Sequence, residues 1–334
     1  MKRFPIFLIA ILWAGSAFAQ MMPDSTVQVC AYWNVGDKYH YQIEESKYKI
    51  DNQTDTSDVE LSAEILTLEV IDATDSTYRV RVTSDDFQHS DYNRMAIHEE
   101  IMQQFGSMPY EFETDEFGTF KRLIIKDEDL DNFYLALDMM VDRIAEERGL
   151  ADEGKPALKA MMQALLTRER LVAAYMEEIT PLLWFHGLRL SQDAKVDYQM
   201  EVPSLFGDGS IITMNGQFWV DEELTDEYSA VLHNVTKADP DDMRKYVKAF
   251  VGTAANALGA EDDVEEAADE IFKDASIELI DDAYEEVHLD TGWPINYDYV
   301  RTIRVKMQDQ EQEQVQTRTV TIIIEDEEEE ESEE

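Results

Sequence analysis

Acidic side chains are the groups with most scope for chemistry in this sequence, where 73 Asp and Glu stand against 28 Lys and Arg in 334 residues. The densest internal run is Asp127-Glu128-Asp129-Leu130-Asp131-Asn132, with Asp138 at the twelfth position. Its outline is that of a calcium-binding EF-hand loop. Such a loop requires Gly at position six for its sharp turn and usually a bidentate Glu at position twelve, but Asn132 and Asp138 occupy those places. The same residues suit the first turn of a helix, where carboxylates meet the positive end of the dipole, and they are read that way.

The histidines, His40, His89, His98, His186, His233 and His288, are scattered. None pairs at the four-residue spacing that lets two imidazoles on one helix hold zinc, and His98-Glu99-Glu100 lacks the second histidine. His186, beside Trp184 and Phe185, reads as a partly buried structural imidazole. No G-x-S-x-G elbow and no G-x-x-x-x-G-K-[ST] phosphate loop occurs, and Gly207-Asp208-Gly209-Ser210 reads as a loop between strands. Among so many carboxylates a glycosidase-like pair discriminates nothing. The sequence therefore assigns no catalytic residue, no metal ligand and no cofactor, and the expected class is non-enzymatic.

An apolar group in the middle of the chain is the remaining feature. Met139, Met140, Met161, Met162 and Met176 accompany Leu165, Leu166, Tyr175, Leu182, Leu183, Trp184 and Phe185. Methionine-rich surfaces adapt to varied apolar partners, so Met140, Met162, Leu166, Trp184 and Phe185 are the candidate ligand-binding residues. Core packing at helical spacing is the competing account of the same side chains.

At the N-terminus, Lys2 and Arg3 precede an apolar run from Phe4 to Trp13 and then Ala17-Phe18-Ala19-Gln20. That is the order of a secretory signal peptide, residues 1–19, cut after Ala19. The run is about half the roughly 20 residues a spanning helix needs. The expected product is soluble, periplasmic or extracellular, with no transmembrane segment. Cys30 is the only cysteine, which excludes an intrachain disulfide. It lies too far past the apolar run for lipidation, which leaves a buried free thiol or an intermolecular disulfide.

Residues 20–324 read as one α+β domain. Tyr39, Tyr41 and Ile43 alternate with polar neighbours. Val59, Leu61, Ala63 and Ile65 do so again, and Leu66, Leu68 and Val70 continue on the opposite parity. That switch predicts a bulge or a strand covered on both faces. Tyr78, Val80 and Val82 give a third strand of an antiparallel meander. A short helix over 95–105 and a hairpin over Tyr110–Phe120 follow, with the turn at Asp115–Gly118. Leu130, Phe133, Tyr134, Leu137, Val141 and Ile144 fall at helical spacing. A second helix over 155–178 completes a helical insertion at 127–190. Strands then return at 196–202, 211–220 and 228–235. Asp239-Pro240-Asp241 starts a helix, and a shorter helix covers 264–272. Strands at 276–289, 296–307 and 315–324 close the domain, with a turn at Asp290-Thr291-Gly292. The halves, about 33–125 and 194–324, each hold three strands, a helix and a hairpin, and Tyr110–Gly118 looks like Tyr284–Gly292. A diverged duplication is one reading; the general preference of hairpin turns for Asp and Gly is the other.

Loss of residues 1–19 would take the formal charge from −45 to −47. The run at 325–334 is expected to be a disordered acidic tail, yet the body without it remains strongly negative. Such a field repels nucleic acid and anionic lipid and favours cations and basic proteins. It also implies relief by salt, since the Debye length falls to about 3 Å at 1 M.

The leader ending at Gln20, Val35-Gly36-Asp37-Lys38-Tyr39, Tyr110–Phe120 and Asp290-Thr291-Gly292-Trp293-Pro294 carry a resemblance over most of the chain. The layout resembles uncharacterised secreted envelope proteins of outer-membrane-bearing bacteria, and through them the half-barrel LolA/LppX-like carriers of lipoproteins and lipids. The resemblance implies a strongly curved antiparallel sheet with helices packed on one face. The implied activity is binding of an apolar ligand or lipidated partner in the concave face. The alternative is an acidic interaction protein that docks a basic partner or cations.

Overall fold

A computed structural model describes residues 25–52, 54–147, 180–192, 194–203, 211–246, 276–307 and 310–324. It also describes positions 155, 156, 159, 172, 175, 176, 178 and 179. The signal peptide, the acidic tail, the 207–210 loop, the helix expected over 264–272 and most of that over 155–178 lie outside the described residues.

The strands are β1 (Thr26–Gln28), β2 (Lys38–Asp51), β3 (Asp55–Ala73), β4 (Thr77–His89), β5 (Tyr110–Asp115), β6 (Phe120–Ile124), β7 (Arg189–Ser191), β8 (Val196–Pro203), β9 (Ile211–Val220), β10 (Ser229–Ala238), β11 (Ser276–His288), β12 (Pro294–Met307) and β13 (Gln310–Ile323). Helix α1 spans Tyr92–Phe105 and α2 spans Asp127–Glu147. Eleven strands form one open antiparallel sheet in the order β6-β5-β4-β3-β2-β13-β12-β11-β10-β9-β8, and β1 pairs with β7 beside it. Each strand of the large sheet pairs with its neighbour in sequence. Within this sheet, the one pairing of the described strands that is not between sequence neighbours is β2 with β13, over twelve register positions from Gln312↔Asp51 to Ile323↔His40, and it joins two meanders. The halves share an order of elements: β4 pairs with β5 across α1, and β10 pairs with β11 across a segment that opens as a helix at 240–246.

Among the described residues, helices form at α1, which begins three residues before the expected 95–105, at α2 and at 240–246. Asp91 caps α1 by accepting from the Asn93 N–H at 2.8 Å, and Gly106 ends it at φ 71°. Asp127, Glu128 and Asp129 occupy the first turn of α2, and Leu137 and Val141 are buried on its face. Asp239 caps the 240–246 helix by accepting from the N–H groups of Asp241 and Asp242.

One sheet face carries the helical segments. Tyr41, Ile43, Leu66, Leu68, Val70, Val80, Val82 and Phe112 point to it and pack under Ile179, Leu182 and Leu183. The phase switch in β3 has its physical cause here. Leu66, Leu68 and Val70 are buried on the covered face, whereas Leu61 projects from the opposite face and is half exposed. The bulges lie elsewhere. One sits at Asp58, φ 51°, against Lys47–Lys49 of β2, and another at Asp86, φ 52°, on β4 opposite Glu64. On the far face, Arg122, Glu113, Arg79, Glu111, Arg81 and Glu69 alternate in sign as a ladder of ion pairs. Basic residues are thus consumed in pairs, which leaves the remaining surface more acidic than composition alone implies.

The chain from Val29 to Trp33 threads between the two hairpin turns. The Ala31 N–H donates to the Phe117 carbonyl (2.8 Å) and the Tyr32 N–H to the Thr291 carbonyl (3.1 Å). Gly118 and Gly292, at φ 89° and 73°, bring both turns against it; a Cβ on Gly292 would lie 2.0 Å from the Cys30 carbonyl oxygen. His186 Nε2 sits 2.7 Å from the Gly292 carbonyl. Cys30 is buried and outside any disulfide, and its thiol is pushed up to about 11 by burial and by Asp115. The two look-alike stretches meet at this strap, but with opposite facing. Tyr110 points to the covered face and Glu111 away from it, whereas Glu285 points inward and Tyr284 outward.

Candidate functional site

A cavity of about 470 Å³ lies on the covered face between the sheet and α1. The sheet supplies Glu45 from β2, Glu64 from β3, Ser84 from β4, Tyr110 from β5 and Gln316 and Arg318 from β13. Helix α1 supplies His98 and Met102, the following loop Ser107 and Met108, and the helical positions Tyr175 and Glu178 close it. These residues meet because inward parity on each strand runs from apolar to polar along its length. On β2 that parity reads Tyr39, Tyr41, Ile43, Glu45; on β13 it reads Ile322, Val320, Arg318, Gln316. The apolar ends make the core, and the polar ends line the cavity.

Its carboxylates are each held by one group. Tyr110 donates its hydroxyl to Glu178 Oε2 at 2.9 Å, Arg318 Nη1 donates to Glu45 Oε1 at 3.2 Å, and Ser84 donates to Glu64. Burial, together with the nearby Glu64 charge, raises the pKa of Glu178, with Tyr110 and Arg318 opposing. Burial and Glu178 push the Tyr110 hydroxyl well up, so it stays a donor. Burial also lowers the His98 pKa, which favours the neutral imidazole. The Tyr110 and Tyr175 rings lie 4.4 Å apart and, with Met102 and Met108, make an apolar wall. The half-open cavity therefore has a polar wall, in which three carboxylates outnumber the single cation Arg318, and an aromatic–thioether wall, and it suits a cationic group attached to an apolar body. No group of three or more metal-ligating side chains occurs among the described residues.

The residues predicted from sequence fall as follows. Met140 is a half-buried residue of α2, and Met162 and Leu166 lie outside the described residues. Phe185 is buried in a second core cluster with Val27, Val29, Leu190 and Val287. Trp184 is 36% exposed and faces Tyr198. Neither Trp184 nor Phe185 lines the cavity. His186, read from sequence as a partly buried imidazole, is fully buried, and its pKa is pushed down to about 4 by that burial. Sequence reasoning missed Glu45, Glu64, Glu178 and Arg318. The readable signal for three of them was a charge on an otherwise apolar strand parity.

No protein-family model matches the chain, and no curated protein does. Among solved structures the chain is similar to lipovitellin, in a structure concerned with lipid–protein interactions, at TM-score 0.40 and 8% identity over 87% of this chain and 25% of that one. It is also similar to Ail, the attachment invasion locus protein of Yersinia pestis, at TM-score 0.12 and 3% identity over 87% of this chain and 100% of that one. The chain thus spans a quarter of the lipovitellin chain, and at these TM-scores neither likeness bears on function. No helix among the described residues is long and apolar enough to cross a membrane.

Proposed function

We propose that this is a non-enzymatic, exported envelope protein whose covered-face cavity binds a small amphiphile with a cationic end. The carrying observation is the 470 Å³ chamber itself, with Glu45, Glu64 and Glu178 on one wall and Met102, Met108, Tyr110 and Tyr175 on the other. The acyl chain of a lipidated partner would use the apolar wall alone, whereas an amine-bearing amphiphile uses both walls. Each carboxylate keeps acceptor capacity beyond the one hydrogen bond described above, and a buried cation without such partners would not be accommodated. The leader sequence and the half-barrel resemblance support an envelope setting.

The test is calorimetric titration of the full chain with octylamine, octanol and octanoate at pH 7. Octylamine should bind and octanoate should not, and Glu178→Gln with Glu64→Gln should weaken octylamine at least about tenfold, which is about 1.4 kcal/mol. Equal binding of all three probes, or an unchanged affinity in the double variant, would overturn the reading.

A further inference from the structure

Among the described residues the open sheet ends on β8, an eight-residue edge strand paired with β9 alone. Val196, Asp197, Gln199, Met200 and Glu201 are exposed among the described residues, whereas Tyr198 and Val202 are half-buried on the covered face, Val202 packing beside Met214 and Met243. The strand is nevertheless held in place. Tyr198 lies across Gly216 of β9, where a Cβ would meet its ring at 2.2 Å, and donates its hydroxyl to Asn234 Oδ1 of β10 at 2.8 Å. On the far face, Gln217 donates to Asp197 (2.7 Å) and Gln199 to Asn215 (3.0 Å).

The opposite edge of the sheet is guarded in a different way. β6 has five residues and carries Lys121 and Arg122, both exposed. Short, charged edges resist strand addition. β8 is longer and rigidly presented. Along it Val196 and Met200 alternate with Asp197 and Glu201, and Glu201 has no ion pair among the described residues. An unpaired edge of this kind is a template for an added strand, in which main-chain hydrogen bonds give affinity and alternate side chains give selectivity.

We propose that β8 docks an extended segment of a partner protein in which basic and apolar residues alternate. The apolar side chains would lie beside Val196 and Met200, and the basic ones beside Asp197 and Glu201. Charge decides the occupant. The chain carries a formal −45, which attracts a basic strand and repels a second copy. The chain's own basic–apolar strand, Val300–Met307 of β12, is paired on both sides by β11 and β13 and is not free to serve.

The probe is a labelled nine-residue peptide of alternating Lys and Val, titrated into the full chain at 0.15 M salt and read by fluorescence anisotropy. Amide hydrogen exchange is followed in parallel. Binding should slow exchange within residues 196–203, and N-methylation of alternate peptide amides, which keeps every charge, should weaken it at least about tenfold. Glu201→Lys with Asp197→Lys should weaken it similarly while far-UV circular dichroism stays unchanged. Equal binding of the methylated peptide would reduce the effect to diffuse attraction. Protection elsewhere in the chain, or concentration-dependent dimerisation that protects β8 without peptide, would equally overturn the proposal.

Discussion

Glu285 is a carboxyl group buried without compensation, and replacing it should stabilise the protein. It is 1% exposed, and neither carboxylate oxygen has a hydrogen-bond partner. Its cross-strand neighbours are Leu232 and Tyr297, which belong to the two main core clusters. Burial pushes its pKa well above the ordinary 4.5, so the folded state keeps it protonated. The unfolded chain releases that proton above pH 4.5, so stability from this group is complete below 4.5 and is lost as pH rises toward the folded value. Burying a carboxyl group with no hydrogen-bond partner costs roughly 1–3 kcal/mol, and the pH-dependent part of that cost grows from pH 4.5 upward. Glu285→Leu, similar in volume, removes that loss and adds apolar burial. At pH 7.5 the variant should melt roughly 2–5 °C above the parent, and the gap should narrow as pH approaches 4.5. Thermal melts at four pH values decide the matter. A variant less stable than the parent at pH 7.5, or a gap independent of pH, would refute the account.

Glu111, at the matching place in the other hairpin, should behave in the opposite way. Arg79 at 2.5 Å and Arg81 at 3.4 Å compensate it, so Glu111→Leu should cost about 1–2 kcal/mol in a denaturant titration, the half-exposed arginines keeping it below the buried-pair range. His186, pushed down from 6.5 to about 4, contributes stability above pH 6.5 that is lost on acidification toward 4, up to about 3 kcal/mol. Because this loss opposes the Glu285 gain between pH 4.5 and 6.5, it should show most clearly in the Glu285→Leu background. Gly292→Ala should cost more than about 2 kcal/mol, because its Cβ meets the Cys30 carbonyl. Gly36→Ala, at φ 99° with open space, should cost only about 1 kcal/mol in the same melts. Raising salt from 0.1 to 1 M should raise the melting temperature of the parent, since screening relieves self-repulsion of a −45 chain, and a flat or falling trend would count against that.

The legible part of the fold was the part written in short-range pattern. Alternation placed β8, β9 and β10 within a few residues, and the carboxylate-rich start at Asp127 and the Asp239 cap marked true helix ends. Strand ends were lost where polar residues lie on both faces. β13 begins at Gln310 rather than Val315, and β2 continues to Asp51 through Glu44-Glu45-Ser46-Lys47 without an apolar stripe. Pairing of β2 with β13 has no local signature, because it joins residues some 270 positions apart. The cavity escaped for the same reason. Glu45, Glu64 and Arg318 look like surface charges until the register places them under α1. Methionine and aromatic side chains are the louder apolar signal in the sequence, but Phe185 serves the core and Trp184 the surface.

The β2–β13 seam also sets a timetable. Ser46 and Thr317, hydrogen-bonded across it, are separated by 271 residues. At about 5–20 residues per second of synthesis, the fourteen-residue β2 emerges roughly 15–50 s before its partner. Through that interval one whole side of β2 lacks its hydrogen-bonding partner, and the strap at Val29–Trp33 lacks the second of its two turns. A nascent chain in this state is a target for holding chaperones, and strands made some 270 residues later complete the first ones.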